Sequence, residues 1–203
     1  MSSDPPTLTV ADADAWHAWL DAHHADSSGV WLVLAKKGTV DPTSLTYDQA
    51  LEEVLCHGWI DGQRRSGDAS TFVQRFTPRR ARSPWSKRNV GIVERLSKEG
   101  RMQPRGRAEV ERARADGRWQ AAYAGQRTIA VPPDLAARLA TEPKAQAMFE
   151  ILTSQNRYAI LYRIEGAKRA ETRARRIEQF VAMLARGETV HPQKRTLDGP
   201  NGV

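Results

Sequence analysis

Trp59-Ile-Asp-Gly-Gln-Arg-Arg65 and Thr71-Phe-Val-Gln-Arg-Phe-Thr77 are two β-branched and aromatic runs, joined by Ser66-Gly-Asp-Ala-Ser70. A short link of turn-forming residues between two such runs reads as a hairpin of the longer kind. Pro78 closes the second run because it cannot donate to a ladder. Strand alternation then sets Arg75 and Thr77 on one face and Phe72, Gln74 and Phe76 on the other. A small antiparallel sheet with this hairpin is the nucleus of the first half.

Working back from the hairpin, Gly58 stands where a helix C-cap glycine would. Before it, Thr46-Tyr-Asp-Gln49 has the form of a capping box. Tyr47, Ala50, Leu51, Val54 and Leu55 then recur as one apolar stripe. Val30-Trp-Leu-Val-Leu-Ala35 is a further buried strand, bounded by Gly29 and by Lys36-Lys37-Gly38. Trp16, Trp19 and Leu20 have helical spacing between Val10 and His24, with Asp12 or Asp14 as N-cap. Residues 1–10 read as a loose arm or an edge segment.

Working forward, Ser83-Pro84 reads as an N-cap with proline at the first helical position, opening a helix that carries Trp85, Ile92, Val93 and Leu96 and stops at Gly100. Pro104 to Asp116 is a charged helix ended by Gly117. From Arg118 the pattern is helical. Pro132-Pro133-Asp134 opens one segment and Thr141-Glu-Pro143 another, and a last helix runs from Ile164 to Ala185 with Gly187 as its stop. The expectation is an α+β chain with three parts. Residues 10–117 form a domain with a basic hairpin-helix region, 118–190 a helical region, and 191–203 a flexible tail.

With 203 residues, 40% apolar and 27% charged, the chain is in the globular range. No run approaches the roughly 20 apolar residues of a membrane helix. Met1-Ser-Ser-Asp-Pro-Pro6 has neither a basic n-region nor an apolar h-region, so the cytoplasm is the expected compartment. A lone Cys56 excludes a disulfide framework and a cysteine-rich zinc module. The net charge is +7, and it is unevenly placed. Gly62 to Arg114 holds 15 Lys or Arg against 5 Asp or Glu, a local +10, while the remainder sums to −3. Such a patch attracts anions to the surface that bears it.

Several motifs resemble one family: Gly-Trp-Ile-Asp-Gly at 58–62, Arg-Phe-Thr-Pro-Arg-Arg at 75–80, Ser-Pro-Trp-Ser-Lys-Arg-Asn at 83–89, Asp-Gly-Arg-Trp at 116–119 with Ala-Tyr at 122–123, and Ala-Lys-Arg-Ala-Glu-Thr-Arg-Ala-Arg-Arg-Ile at 167–177. In this order they are similar to the bacterial YdeI/OmpD-associated, or bacteriocin-protection, proteins, over about residues 10–190. The resemblance implies a part in envelope stress and resistance to antimicrobial peptides, with no settled biochemical activity. The periplasmic location predicted for members is not what this N-terminus suggests.

The residues themselves nominate a ligand site. Arg75, Arg79, Arg80 and Arg82 lead into the Pro84 helix, and arginine grips phosphate or carboxylate with two parallel hydrogen bonds. Ser83, Ser86, Lys87 and Asn89 crowd a helix start, whose free N–H groups favour an anion. Arg75, Thr77, Arg79, Trp85, Ser86, Lys87 and Asn89 are therefore the candidate ligand-binding set. The competing structural roles are ion pairs with Asp61, Asp48 or Glu52 for the arginines, and a loop tie for Asn89. Asp61 is the candidate general base, against a turn or an arginine partner. Cys56 and His57 point about 100° apart on a helix, and His17, His23 and His24 show no carboxylate at ligand spacing, so no metal and no cofactor is expected.

Three functions fit these features. The first is a non-catalytic stress-protection protein holding an anionic small molecule. The second is an enzyme on a small phosphorylated or acidic substrate, with Asp61 as base. The third, ranked last because no nucleic-acid module is legible, is a nucleic-acid binder. The sequence leaves the oligomeric state open.

Overall fold

The β-branched segment Val30–Ala35 forms β2, a central strand buried along nearly its whole length. In the computed structural model, which describes residues 5–197, it lies in a four-stranded sheet of order β1-β2-β4-β3. Here β1 is Thr7–Leu8, β3 is Trp59–Ser66 and β4 is Thr71–Pro78. The expected hairpin is β3–β4. The sheet is mixed because β1, in the expected arm, pairs parallel to β2. A bulge falls between Asp61 and Arg64. The Gln74 amide donates to the carbonyls of Gly62 and Gln63 at 2.9 and 3.1 Å, which satisfies a buried glutamine and fixes the bulge.

Helices α1 (Ala13–His23), α2 (Tyr47–Cys56), α3 (Lys87–Lys98) and α4 (Pro104–Ala115) complete the first unit, which ends at Ala122. Asp12 caps α1, and the Thr46–Gln49 capping box of α2 is formed in both directions. One core gathers Trp16, Leu20, Leu32, Leu51, Leu55 and Phe76. Burying each such side chain contributes about 1.5–3 kcal/mol. Gly106 sets the packing of α4 on α2, because a Cβ there would lie 2.0 Å from the Cys56 carbonyl oxygen. On the reverse face of the sheet Trp31 is covered by the Arg65 guanidinium, 3.7 Å from its ring.

Two expectations are corrected. The N-cap of α3 is Ser86, not Ser83: the Ser86 hydroxyl accepts from the Asn89 N–H at 3.1 Å. Ser83 instead closes a tight turn, its N–H donating to the Arg80 carbonyl and its hydroxyl accepting from the Arg80 N–H. The expected Ile164–Ala185 helix is two helices, α7 (Ser154–Glu165) and α8 (Ala170–Ala185), parted at Gly166. Ile164 belongs to the first of them.

The second unit begins at Tyr123. It adds α5 (Pro133–Ala140) and α6 (Pro143–Glu150) to α7 and α8. Its own core includes Leu135, Met148, Phe149, Ile160, Val181 and Leu184. The buried Asn156 side chain donates to the His191 carbonyl and the Gln193 side chain, and accepts from the His191 N–H. These bonds hold residues 191–193 against α7. Residues 198–203 of the expected tail lie outside the described residues.

Candidate functional site

Past Pro78 the chain turns through residues 79–85, and two guanidinium groups hold that turn. Arg79 Nη1 donates to the Pro84 carbonyl at 3.3 Å, and Arg118 Nη1 to the Ser83 carbonyl at 2.9 Å. The Arg79 guanidinium lies 3.5 Å over the Trp85 ring, and Trp85 packs on Trp119 with ring centres 4.8 Å apart. Asp116 orients Arg118 through its Nε at 2.7 Å. The Trp85 indole N–H and Arg118 Nη2 are buried donors without an acceptor among the described residues. An unmet buried donor costs about 1–3 kcal/mol.

The other nominated residues are distributed around this turn. Asn89 is buried on the inner stripe of α3 with Val93 and Leu96. Ser86 is the N-cap just described, and Lys87 is exposed. Thr77 is half-buried on β4 opposite Ile60. Arg75, one strand turn before it, pairs with Trp31 across β2 and β4. Its guanidinium lies 6.0 Å from that ring, and its Nε is buried without an acceptor. Arg79 and Trp85 are therefore brought into contact, while Arg75 turns to a different aromatic residue.

Asp61 is on β3, not in a turn, and accepts from the Tyr47 hydroxyl at 2.8 Å. Two of the other carboxylates considered as partners for the arginines, Asp48 and Glu52, have other ion pairs. Arg88 meets Asp48 at 2.7 Å, and Arg101 meets Glu52 at 2.8 Å. Arg95 bonds both Glu52 and Glu99. Exposed pairs of this kind are worth about 0–1 kcal/mol each.

A second cluster sits where α1 faces α2. His17 and Asp21 are four residues apart on α1; Glu53 and His57 are four apart at the end of α2. His17 Nδ1 lies 2.7 Å from Glu53 Oε2, and its Nε2 lies 3.3 Å from Asp21 Oδ2. His57 Nε2 lies 2.8 Å from Asp21 Oδ1, and its Nδ1 lies 2.8 Å from the Glu53 carbonyl oxygen. His57 is fully buried and Glu53 nearly so. The hydrogen bond to Glu53 raises the His17 pKa above its ordinary value, and the bond to His57 lowers that of Asp21. Beside them burial pushes the Cys56 thiol up to about 12, so it stays protonated.

Residues 8–109, half of the chain, match the model of a family described as Domain of unknown function (DUF8412). The chain belongs to that family. Residues 128–187 match the family Bacteriocin-protection, YdeI or OmpD-Associated. The resemblance expected over about 10–190 is thus shared between two families. The motifs at 58–89 fall in the first match, 167–177 falls in the second, and 116–119 lies between them. No curated protein and no solved structure matches the chain.

Two features escaped the sequence reading. Arg118, in the Asp116–Trp119 motif, completes the turn that Arg79 holds. Of the three histidines read as lacking a carboxylate at ligand spacing, His17 does have such neighbours, Asp21 and Glu53. The signal was the pair of four-residue spacings, His17 to Asp21 and Glu53 to His57, set in opposite order on separate helices.

Proposed function

We propose that this chain is a non-catalytic binding protein of the bacteriocin-protection type that takes a small oxyanion, a phosphate or a carboxylate, at the Pro84 turn. The observation that carries the reading is the pair of buried donors, Trp85 Nε1 and Arg118 Nη2, beside the stacked Arg79 guanidinium. A bound oxyanion would supply the acceptors these groups lack, with charge-assisted bonds to arginine. The local +10 favours capture of anions at that region.

Isothermal titration of the full chain with inorganic phosphate, acetate and a nucleoside monophosphate at low salt tests this. Binding is expected for at least one, and is expected to fall at least tenfold in Arg118→Met and in Trp85→Phe. Absence of binding to all three at low salt ends the proposal.

A further inference from the structure

A neutral imidazole has one N–H and one lone pair, so it can donate from only one ring nitrogen. In the α1–α2 cluster all four ring nitrogens of His17 and His57 face oxygen atoms, none of which carries a proton while the carboxylates are ionised. The Glu53 carbonyl oxygen can only accept, so His57 Nδ1 carries the proton there. That leaves the His57 Nε2 lone pair directed at a carboxylate, unless a second proton or another cation lies between them. His17 has the same conflict, since Glu53 and Asp21 face its two nitrogens.

A metal ion relieves it without charging both rings. A ligating histidine characteristically donates its other N–H to a backbone carbonyl, which fixes the tautomer, and ligating carboxylates are themselves hydrogen-bonded. Both devices are present: His57 Nδ1 bonds the Glu53 carbonyl, and Arg101 holds the other oxygen of the Glu53 carboxylate. Ligand atoms of His17, Glu53 and His57 all lie within 4.8 Å of one another. A tetrahedron with bonds of about 2.0 Å has edges of about 3.3 Å, so a modest contraction closes the set. The cluster also has a buried floor and an open rim. The His57 side chain is 0% exposed, whereas His17 and Asp21 are 42% and 55% exposed and free to adjust around an ion.

We infer that His17, Glu53 and His57 form a site for a single divalent transition-metal ion of the zinc class, bound through two imidazoles and one carboxylate, with Asp21 beside it as a hydrogen-bonding partner of the histidines. Imidazole with carboxylate suits zinc and its neighbours more than magnesium or calcium, which favour oxygen alone. The ion clips α1 to the end of α2. Each ring gives up its lone pair, so any imidazolium present in the metal-free cluster releases a proton on binding.

The test uses the full chain, stripped with a chelator and titrated with zinc chloride while the histidine ring signals are followed by NMR. Binding of one zinc per chain is expected, with shifts of the His17 and His57 rings and none of the His191 ring. His17→Ala and Asp21→Asn, both on the exposed rim, are expected to stay folded by circular dichroism and to weaken zinc binding at least about tenfold. His23→Ala is expected to leave it unchanged. Magnesium chloride at the same concentration is expected to give no shift. Failure of zinc to bind one per chain, or equal binding by the wild type, His17→Ala and Asp21→Asn, overturns the assignment.

Discussion

The Tyr47 hydroxyl joins two charged groups. It donates to Asp61 Oδ2 at 2.8 Å and accepts from Arg88 Nη1 at 3.4 Å. Burial, with the Asp61 charge beside it, pushes its pKa up to about 12, so the phenol remains a donor throughout the physiological range. Tyr47→Phe keeps the ring and deletes that bond, leaving a half-buried carboxylate short of a donor. The expected loss is about 1–1.5 kcal/mol in urea unfolding; an unchanged midpoint would show that water replaces the hydroxyl at no cost. Asp61 itself was legible as a polar residue in a strand-like run, but its partner was not. Tyr47 sits on the apolar stripe of α2, and nothing local to either residue announces the other. The same limit hid the histidine cluster, whose cross-helix contacts span 36 residues. Four-residue spacings can be read from sequence; which helix faces which cannot.

Elements were legible where their signals are local. The Thr46–Gln49 capping box needs only four consecutive residues, and it formed as expected. The start of α3 misled because Ser83-Pro84 and Ser86 compete as caps, and the choice falls to tertiary contacts: Arg79 and Arg118 pull the Ser83 and Pro84 carbonyls into the turn. In the β3–β4 link, Asp68 shows how far a local motif can shift a pKa. Its carboxylate accepts from the N–H groups of Thr71 and Ser70 and from both hydroxyls, chiefly Thr71, and its pKa falls to about 2. Because the folded value is depressed, its contribution to stability is full above the ordinary carboxyl value near 3.8 and is lost as pH falls through about 2. An NMR titration of the Asp68 carboxyl carbon is expected to show a midpoint near 2. A midpoint near 3.8 would mean that the link is not held by these bonds in solution.

For the whole molecule, the division into two units has an energetic counterpart: the two cores share no residue. Leu51→Ala in the first and Ile160→Ala in the second remove fully buried side chains and are expected to cost about 2–5 kcal/mol each. In the double variant the losses are expected to add within about 0.5 kcal/mol, as they do for sites with no shared partners. Thermal and urea unfolding of the four proteins measure this, and a large coupling term would show that the two sites interact energetically. The composition changes at Arg118, but Arg118 and Trp119 belong by their contacts to the first core. No helix of the described residues is long and apolar enough to cross a membrane.

All six tryptophans precede Ala122, at positions 16, 19, 31, 59, 85 and 119. Intrinsic indole emission is thus a private reporter for one half of the chain. The α5–α8 half is heard only through its tyrosines and its amide circular dichroism, so recording the two optical channels side by side separates the melting of each half without a label or a truncation.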